Sequence, residues 1–167
     1  DAQRILSLYG FKTPKFSVAT TEGEAVAASR KIGYPVVAKI VSPAVVHKSD
    51  VKGVVVGIKD DETLIRTLAR LSKIDGFAGM LIAEMVKGVE LIIGAKNDFQ
   101  FGPMVLLGMG GVGVEIYKDV SLRMAPVKTK DAERMIGELT ARQLLTGYRG
   151  SEPINLNALT KTIVQFS

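Results

Sequence analysis

Cysteine, aromatic residues and long apolar runs are the features that this sequence lacks or has little of. There is no cysteine, which excludes disulfide bonds, thiolate metal sites and a cysteine nucleophile and is typical of a reducing compartment. No apolar run approaches the roughly 20 residues of a membrane span, and the opening residues DAQRILSLYG lack a signal peptide's apolar centre. We therefore expect a soluble, untargeted, cytoplasmic protein with no membrane partner.

Aliphatic residues and glycine dominate what is present. Apolar residues make up 47% of the 167 residues and aromatic residues only 6%. This balance favours strands covered by helices over an aromatic-cored sandwich, and the length fits one domain or two small lobes. An α/β or α+β fold is expected.

The charge is basic, with a formal net charge of +5. Lysine and arginine are scattered along the chain and are not interleaved with aromatic residues, which argues against a nucleic-acid partner. A basic balance also fits small anionic ligands such as phosphates.

Capping and periodicity signals divide the chain into two parts. The first part, residues 1–88, has a leading helix over 2–9 and then alternates strands with helices over 16–86, where Thr21 and Glu24 form a capping box and Asp60 caps a second helix. The apolar face of that second helix is predicted from Leu64, Ile65, Leu68 and Leu71. The second part, residues 89–167, contains the stretches VELIIGAK, GPMVLLG, VEIYKDVSLRMAPV, KDAERMIGEL and LNALTKTIVQF, of which the last two predict helices.

A glycine-rich stretch, FGPMVLLGMGGVGVEIYKDVSLRMAPV, places Gly108, Gly110 and Gly113 in a G-x-G-x-x-G pattern. This is the spacing of a dinucleotide-binding fingerprint, which requires a helix to begin inside it. The residues that follow are β-branched and alternating, and the first convincing helix comes only after Thr129. The dinucleotide interpretation is therefore disfavoured, and a tight hairpin or a ligand-binding turn remain as alternatives.

Three further features have both a plain and a functional interpretation. Lys39 interrupts the apolar strand PVVAKIV, so its amine either lies at a strand edge or meets an anion. His47, the only histidine, lies in the loop SPAVVHKSDVKGV and is either solvated or a phosphoryl acceptor. The stretch AEMVKGVE offers backbone groups and the acids Glu84 and Glu90, which either are solvated or contact an adenine and a ribose.

In this order the pieces resemble a known family, the ATP-grasp domain of NDP-forming acyl-CoA synthetases, of the β-subunit type of ADP-forming acetate–CoA ligase. The resemblance rests on GYPVVAKIVSP, HKSDVKGV, AEMVKGVELIIGAKNDFQFGP and GMGGVGVEIYKDVSLRMAP and runs through nearly the whole chain. It implies two α+β lobes that clasp a nucleotide, and an acid–thiol ligase activity, acyl-CoA + ADP + phosphate ⇌ acid + CoA + ATP. It also implies ATP or ADP and Mg²⁺ as cofactors, a CoA-binding α-type subunit or fused domain as partner, and acyl-CoA and carboxylic acid substrates.

The resemblance also implies roles for individual residues. His47 would be the catalytic phosphohistidine, Lys39 would contact the nucleotide phosphates, and Glu90 would lie near the ribose. The residues expected against the adenine are Glu84, Met85 and Val86. Candidate phosphate contacts are Lys48, Lys52, Gly53, Gly110, Gly111, Glu115 and Arg123.

The sequence departs from the family pattern in three places. Lys52 stands in DVKGV where the family usually has two glycines, and Gly113 takes a position often filled by a bulkier residue. The chain also stops before the family's closing strands, whose INP-like motif supplies the Mg²⁺ ligands, so we expect a C-terminally truncated fragment with its metal ligands unknown.

Two other classes of function remain as alternatives. The first is a nucleotide-sensing ATP-grasp module, for example in a protein acyltransferase, in which His47 is not phosphorylated. The second is an interaction domain that uses the glycine turn and basic loop for assembly and binds no nucleotide.

Overall fold

The structure is a computed structural model that describes residues 2–45, 47–111 and 119–167. The chain divides into two compact units, Asp1–Lys87 and Gly88–Ser167. Each unit combines an antiparallel sheet with helices, so the α+β class is confirmed. None of the helices in the described ranges has the length and apolar character needed to cross a membrane.

The elements of the first unit are α1 (Ala2–Leu8), β1 (Phe16–Ala19), α2 (Glu22–Ile32), β2 (Val36–Val41), β3 (Val54–Ile58), α3 (Asp61–Leu71) and β4 (Gly79–Glu84). The four strands form one sheet of order β1-β4-β2-β3, in which every neighbouring pair is antiparallel.

Local capping fixes where the helices of this unit begin. The Thr21 side chain accepts a hydrogen bond from the Glu24 N–H, and the Glu24 carboxylate accepts one from the Thr21 N–H, which confirms the capping box. The Asp60 carboxylate accepts a hydrogen bond from the Thr63 N–H at 2.7 Å, as expected of a helix N-cap.

The core of the first unit lies between the sheet and helices α2 and α3. Val36, Ala38 and Ile40 alternate along β2 and are fully buried, whereas Lys39 between them is exposed. Since successive side chains of a strand point to opposite faces, Lys39 belongs to the face away from the core.

The described elements of the second unit are β5 (Leu91–Asp98), β6 (Gly102–Met109), β7 (Val120–Met124), α4 (Thr129–Glu138), a 3₁₀ helix (Arg142–Leu144) and α5 (Leu156–Phe166). The three strands form an antiparallel sheet of order β5-β6-β7. Val105 and Leu107 of β6 are buried in one core cluster with Met135 of α4 and Ile163 of α5.

Some expectations from the sequence need correction. On α3 the fully buried face uses Thr67, whose hydroxyl donates to the Thr63 carbonyl, while Ile65 is only half-buried. The strand GMLIAEMV ends at Glu84, so Met85 and Val86 lie beyond it. The glycine stretch joins β6 to its antiparallel neighbour β7, and residues 112–118 of this connection lie outside the described residues, so the hairpin alternative stays a prediction. A dinucleotide fold requires parallel strands, and the described strands pair antiparallel in both sheets.

Candidate functional site

A groove of about 550 Å³ lies in the first unit around Lys39. In the sheet, Lys39 is opposite Leu81 of β4 on one side and Val54 of β3 on the other. The residues that line the groove are Gln3, Lys39, Ile40, Val41, Ser42, Lys48, Val54 and Leu81.

The charge of this groove is positive. Lys39 and Lys48 both line it, and the described lining residues include no acid. Two ammonium groups without an acidic partner in one depression attract anions such as phosphate. The structure therefore brings together two of the residues that the sequence singled out.

His47 lies immediately before Lys48, in the loop between β2 and β3. The loop closes on itself, because the Asp50 N–H donates to the His47 carbonyl at 3.2 Å and the Lys52 N–H donates to the Ser49 carbonyl at 3.0 Å. The His47 side chain is exposed and forms no hydrogen bond or ion pair with any residue that the structure describes. Its imidazole is thus accessible to a reacting group from solvent or from a bound ligand.

Gly53 closes the His47 loop at a point where only glycine fits. Its N–H donates to the Lys48 carbonyl at 2.7 Å, and its carbonyl accepts from the Ile40 N–H at 2.8 Å. A Cβ atom at position 53 would lie 2.6 Å from Ile40 Cγ2 and 2.9 Å from the Lys48 carbonyl oxygen. Its neighbour Lys52 has φ 50°, a left-handed conformation that glycine adopts without strain.

Glu84 has a structural contact that the sequence did not reveal. Its carboxylate accepts a hydrogen bond from the Lys15 N–H at 3.1 Å, and its own N–H donates to the Lys15 carbonyl at 2.8 Å. These bonds join the start of β1 to the end of β4 across 69 residues of sequence, a separation that no local pattern indicates. The Met85 and Val86 N–H groups donate to no described residue, so they remain available to a ligand.

In the second unit, Glu90 and the glycine turn lie together. The Gly110 N–H donates to the Glu90 carbonyl at 2.6 Å, and a Cβ atom at position 110 would lie 2.7 Å from the Glu90 carbonyl carbon. Gly111 has φ 80° and is exposed beside the Glu90 carboxylate. The glycines therefore allow the turn to approach the residue that precedes β5.

Arg123 of β7 forms an ion pair with Glu138 of α4 in the same unit. Glu138 also accepts a hydrogen bond from the Ser121 hydroxyl at 2.6 Å. The bond from Arg123, followed by that from Ser121, lowers the pKa of Glu138, and the Glu138 carboxylate raises the pKa of Arg123. Arg123 thus has a structural partner in addition to its predicted role at phosphates.

Two predicted positions, Gly113 and Glu115, lie outside the described residues. Among the residues that are described, no group of three or more His, Cys, Asp or Glu side chains could hold a metal ion.

The first unit is an antiparallel α+β unit with a groove that two lysines line, and a second antiparallel α+β unit follows it in the sequence. The chain belongs to the ATP-grasp family, whose domain model matches residues 1–167.

Among curated proteins, the chain is similar to ADP-forming CoA ligases. The chain is 49% identical to the β subunit of acetate–CoA ligase [ADP-forming] I of Pyrococcus furiosus, over 99% of this chain and 75% of the subunit. It is 43% identical to 4-hydroxybutyrate–CoA ligase [ADP-forming] of Nitrosopumilus maritimus, over 100% of this chain and 25% of the ligase. The chain therefore spans three quarters of one relative and one quarter of the other.

A solved structure is similar as well. It is acetyl-coenzyme A synthetase 1 of Ca. Korarchaeum cryptofilum in complex with coenzyme A and Mg-AMPPCP, with its phosphohistidine segment pointing towards the nucleotide-binding site. The TM-score is 0.83 and the identity 44%, over 98% of this chain and 73% of that chain.

Proposed function

We propose that this chain is the nucleotide-binding part of an ADP-forming acyl-CoA synthetase and that His47 is its phosphohistidine. The complete reaction is acyl-CoA + ADP + phosphate ⇌ acid + CoA + ATP. The observation that carries the proposal is the exposed imidazole of His47 directly before Lys48, which shares a groove with Lys39. The ligase relatives support it and do not favour the nucleotide-sensing alternative.

The chemical step is transfer of the γ-phosphoryl group of ATP to the imidazole. A neutral ring nitrogen of His47 forms the new N–P bond while the bond from the γ-phosphorus to the bridging oxygen breaks, and ADP leaves with the electron pair. In the reverse direction ADP takes the phosphoryl group from the histidine. Positioning and charge neutralisation supply most of the catalysis in such transfers, which is the role that we assign to Lys39 and Lys48.

The remaining nucleotide contacts follow from accessible backbone and carboxylate groups. Because the Glu84 carboxylate is held by the Lys15 N–H, we assign adenine recognition to the backbone of Glu84 to Val86. The exposed carboxylate of Glu90 is the candidate partner of the ribose hydroxyls. Gly110 and Gly111 remain our candidate phosphate contacts, because glycines let a backbone approach phosphate closely. Of the two, Gly111 is exposed, whereas the Gly110 N–H donates to the Glu90 carbonyl.

Mg²⁺ would neutralise charge on the nucleotide phosphates. Among the described residues, no group of three or more His, Cys, Asp or Glu side chains could hold it. A CoA-binding α-type subunit or fused domain would supply the sites for acyl-CoA and the carboxylic acid, as the β-subunit relative suggests.

The first prediction concerns His47 itself. The intact polypeptide that contains this chain, incubated with Mg²⁺ and radiolabelled ATP, should acquire acid-labile, base-stable phosphate, and His47→Asn should abolish it. Because the side chain lies outside the groove's described lining, ATP binding measured by calorimetry should stay within about twofold.

Ser49→Ala is the matched control, since Ser49 lies in the same turn and its hydroxyl is another potential phosphate acceptor. This variant should retain the label. Acid-labile phosphate that persists in His47→Asn, or a label lost in Ser49→Ala, would contradict the assignment.

A further inference from the structure

The loop that carries His47 is anchored at both of its ends to helix α3 or to the turn that follows it. At its first end, the Ser42 hydroxyl donates to the Asp75 carbonyl at 3.1 Å and accepts from the Ala44 N–H at 3.2 Å. Gly76 packs so closely there that a Cβ atom would lie 2.9 Å from Ser42 Oγ and from Ala44 Cβ. These contacts hold residues 42–44, the start of the loop that leads to His47, against the turn after α3.

At its other end, the loop is held by the Arg70 side chain. Arg70 of α3 donates from Nη1 to the Lys52 carbonyl at 3.0 Å. The Lys52 N–H donates in turn to the Ser49 carbonyl, and the next residue, Gly53, donates to the Lys48 carbonyl. The Arg70 guanidinium therefore contacts the peptide group between Lys52 and Gly53, whose N–H closes the turn after His47 by donating to the Lys48 carbonyl.

Arg70 is available for this contact because no acid in the described part of the chain pairs with it. Within the described ranges its guanidinium forms no ion pair, whereas Arg66, one turn earlier on α3, pairs with Glu62. A charged donor on a neutral carbonyl is also stronger than a neutral hydrogen bond. The Lys52 carbonyl belongs to a residue with φ 50°, so the anchor also holds a backbone conformation that a lysine adopts at a cost.

From this geometry we propose that Arg70 is a positioning residue for phosphoryl transfer. It fixes the end of the His47 turn to α3, so that the imidazole meets the γ-phosphorus in one orientation. The inference rests on the proposed role of His47. Arg70 itself needs no contact with the nucleotide.

The test compares Arg70→Met with Arg66→Met in the intact polypeptide. Methionine keeps the length and helix propensity of the side chain and removes its donors. We expect amide hydrogen exchange at Asp50, Lys52 and Gly53 to become about tenfold faster in Arg70→Met and to remain unchanged in Arg66→Met. The midpoint of thermal unfolding should not differ between the two variants, which distinguishes a local loss of order from a global one.

Phosphoryl transfer is then measured in a single turnover at saturating ATP. Arg70→Met should slow the first-order rate of His47 phosphorylation about tenfold and leave the ATP concentration for half-maximal rate unchanged, because orientation is lost and nucleotide contacts are not.

The possible failures are distinguishable. Unchanged exchange in Arg70→Met overturns the anchor, and faster exchange with an unchanged transfer rate overturns its role in positioning. A wild-type protein that takes up no phosphate overturns the proposed function instead, and the exchange comparison still decides whether Arg70 orders the turn.

Discussion

At the scale of single residues, Gly110 carries a clear steric requirement in the second unit. A methyl group there would lie 2.7 Å from both the carbonyl carbon and Cβ of Glu90 and 2.9 Å from its carbonyl oxygen. Most of these are backbone atoms that cannot move aside cheaply, and the 2.6 Å hydrogen bond from Gly110 to Glu90 would have to lengthen. We therefore expect Gly110→Ala to lower the free energy of unfolding by about 1–3 kcal/mol, measured by urea unfolding followed by circular dichroism.

Gly137→Ala is the matched control for this change. Gly137 lies in α4 of the same unit, and an added Cβ atom would meet nothing within 4 Å. Since alanine is the better helix former, this variant should gain up to about 1 kcal/mol. Equal effects of the two substitutions would show that the contact with Glu90 is unimportant for stability.

Single residues also mark the limit of what the sequence predicts. The pattern of glycines indicates a hairpin or a ligand-binding turn. The residue that leaves no room for a side chain at Gly110 is Glu90, which lies in a different connection, between β4 and β5, and no local pattern points to it. Likewise, Glu84 was predicted as a nucleotide contact, and nothing local indicated its bond to the Lys15 N–H. His47 and Lys39 could be selected because a lone histidine and a charge inside an apolar strand are conspicuous in sequence alone.

At the scale of secondary-structure elements, Asp119 joins β7 to the segment after α4. Its carboxylate accepts hydrogen bonds from the Thr140 N–H at 2.8 Å and the Ala141 N–H at 2.9 Å. Burial by itself would raise the pKa of Asp119, but the bonds from Ala141 and Thr140 together outweigh it, and the pKa is lowered.

The sign of the pH dependence follows from this lowered pKa. A carboxyl group whose pKa is lower in the folded than in the unfolded state stabilises the fold above its unfolded value of about 3.9, and this contribution is lost as the pH falls through the folded value. Asp119→Asn should therefore cost about 1 kcal/mol at neutral pH, and its unfolding curve should converge with that of the wild type in acid.

Urea unfolding at a series of pH values measures this difference. Glu133→Gln is the control, because Glu133 is exposed on α4 and has no hydrogen bond or ion pair within the described part of the chain. A cost of Asp119→Asn that is independent of pH would mean that the charge of the carboxylate does not contribute.

Elements with local signals were predictable, and pairings between elements were not. The capping box of Thr21 and Glu24 and the N-cap Asp60 lie within a few residues of their partners, so the starts of α2 and α3 could be placed. The strand order β1-β4-β2-β3 depends on contacts between distant segments that no periodicity encodes. Thr67 takes the buried position next to Leu68 because its hydroxyl finds the Thr63 carbonyl one turn earlier, a bond that a pattern of apolar residues misses.

At the scale of the whole molecule, the decisive question is which ligand the folded chain binds. A ligand that binds only the folded state raises stability by RT ln(1 + [L]/Kd), about 2.7 kcal/mol at a concentration of 100 times Kd. For a chain of this length that corresponds to a rise of about 5–10 °C in the midpoint of thermal unfolding. We expect ATP and ADP to produce this rise and NAD to produce none, in scans with and without Mg²⁺.

The groove around Lys39 predicts where the phosphates of ATP bind, and a substitution tests this. Lys39→Met removes one of the two lysines that line the groove, and we expect it to weaken ATP binding at least about tenfold. A tenfold loss of affinity roughly halves the stabilisation obtained at 100 times Kd, so the rise in the unfolding midpoint with ATP should shrink by at least about half. Lys59→Met, which removes an exposed lysine that does not line the groove, should retain the full shift. A shift with NAD alone would return the glycine turn to the dinucleotide interpretation, and an ATP shift of equal size in both variants would place the phosphates away from Lys39.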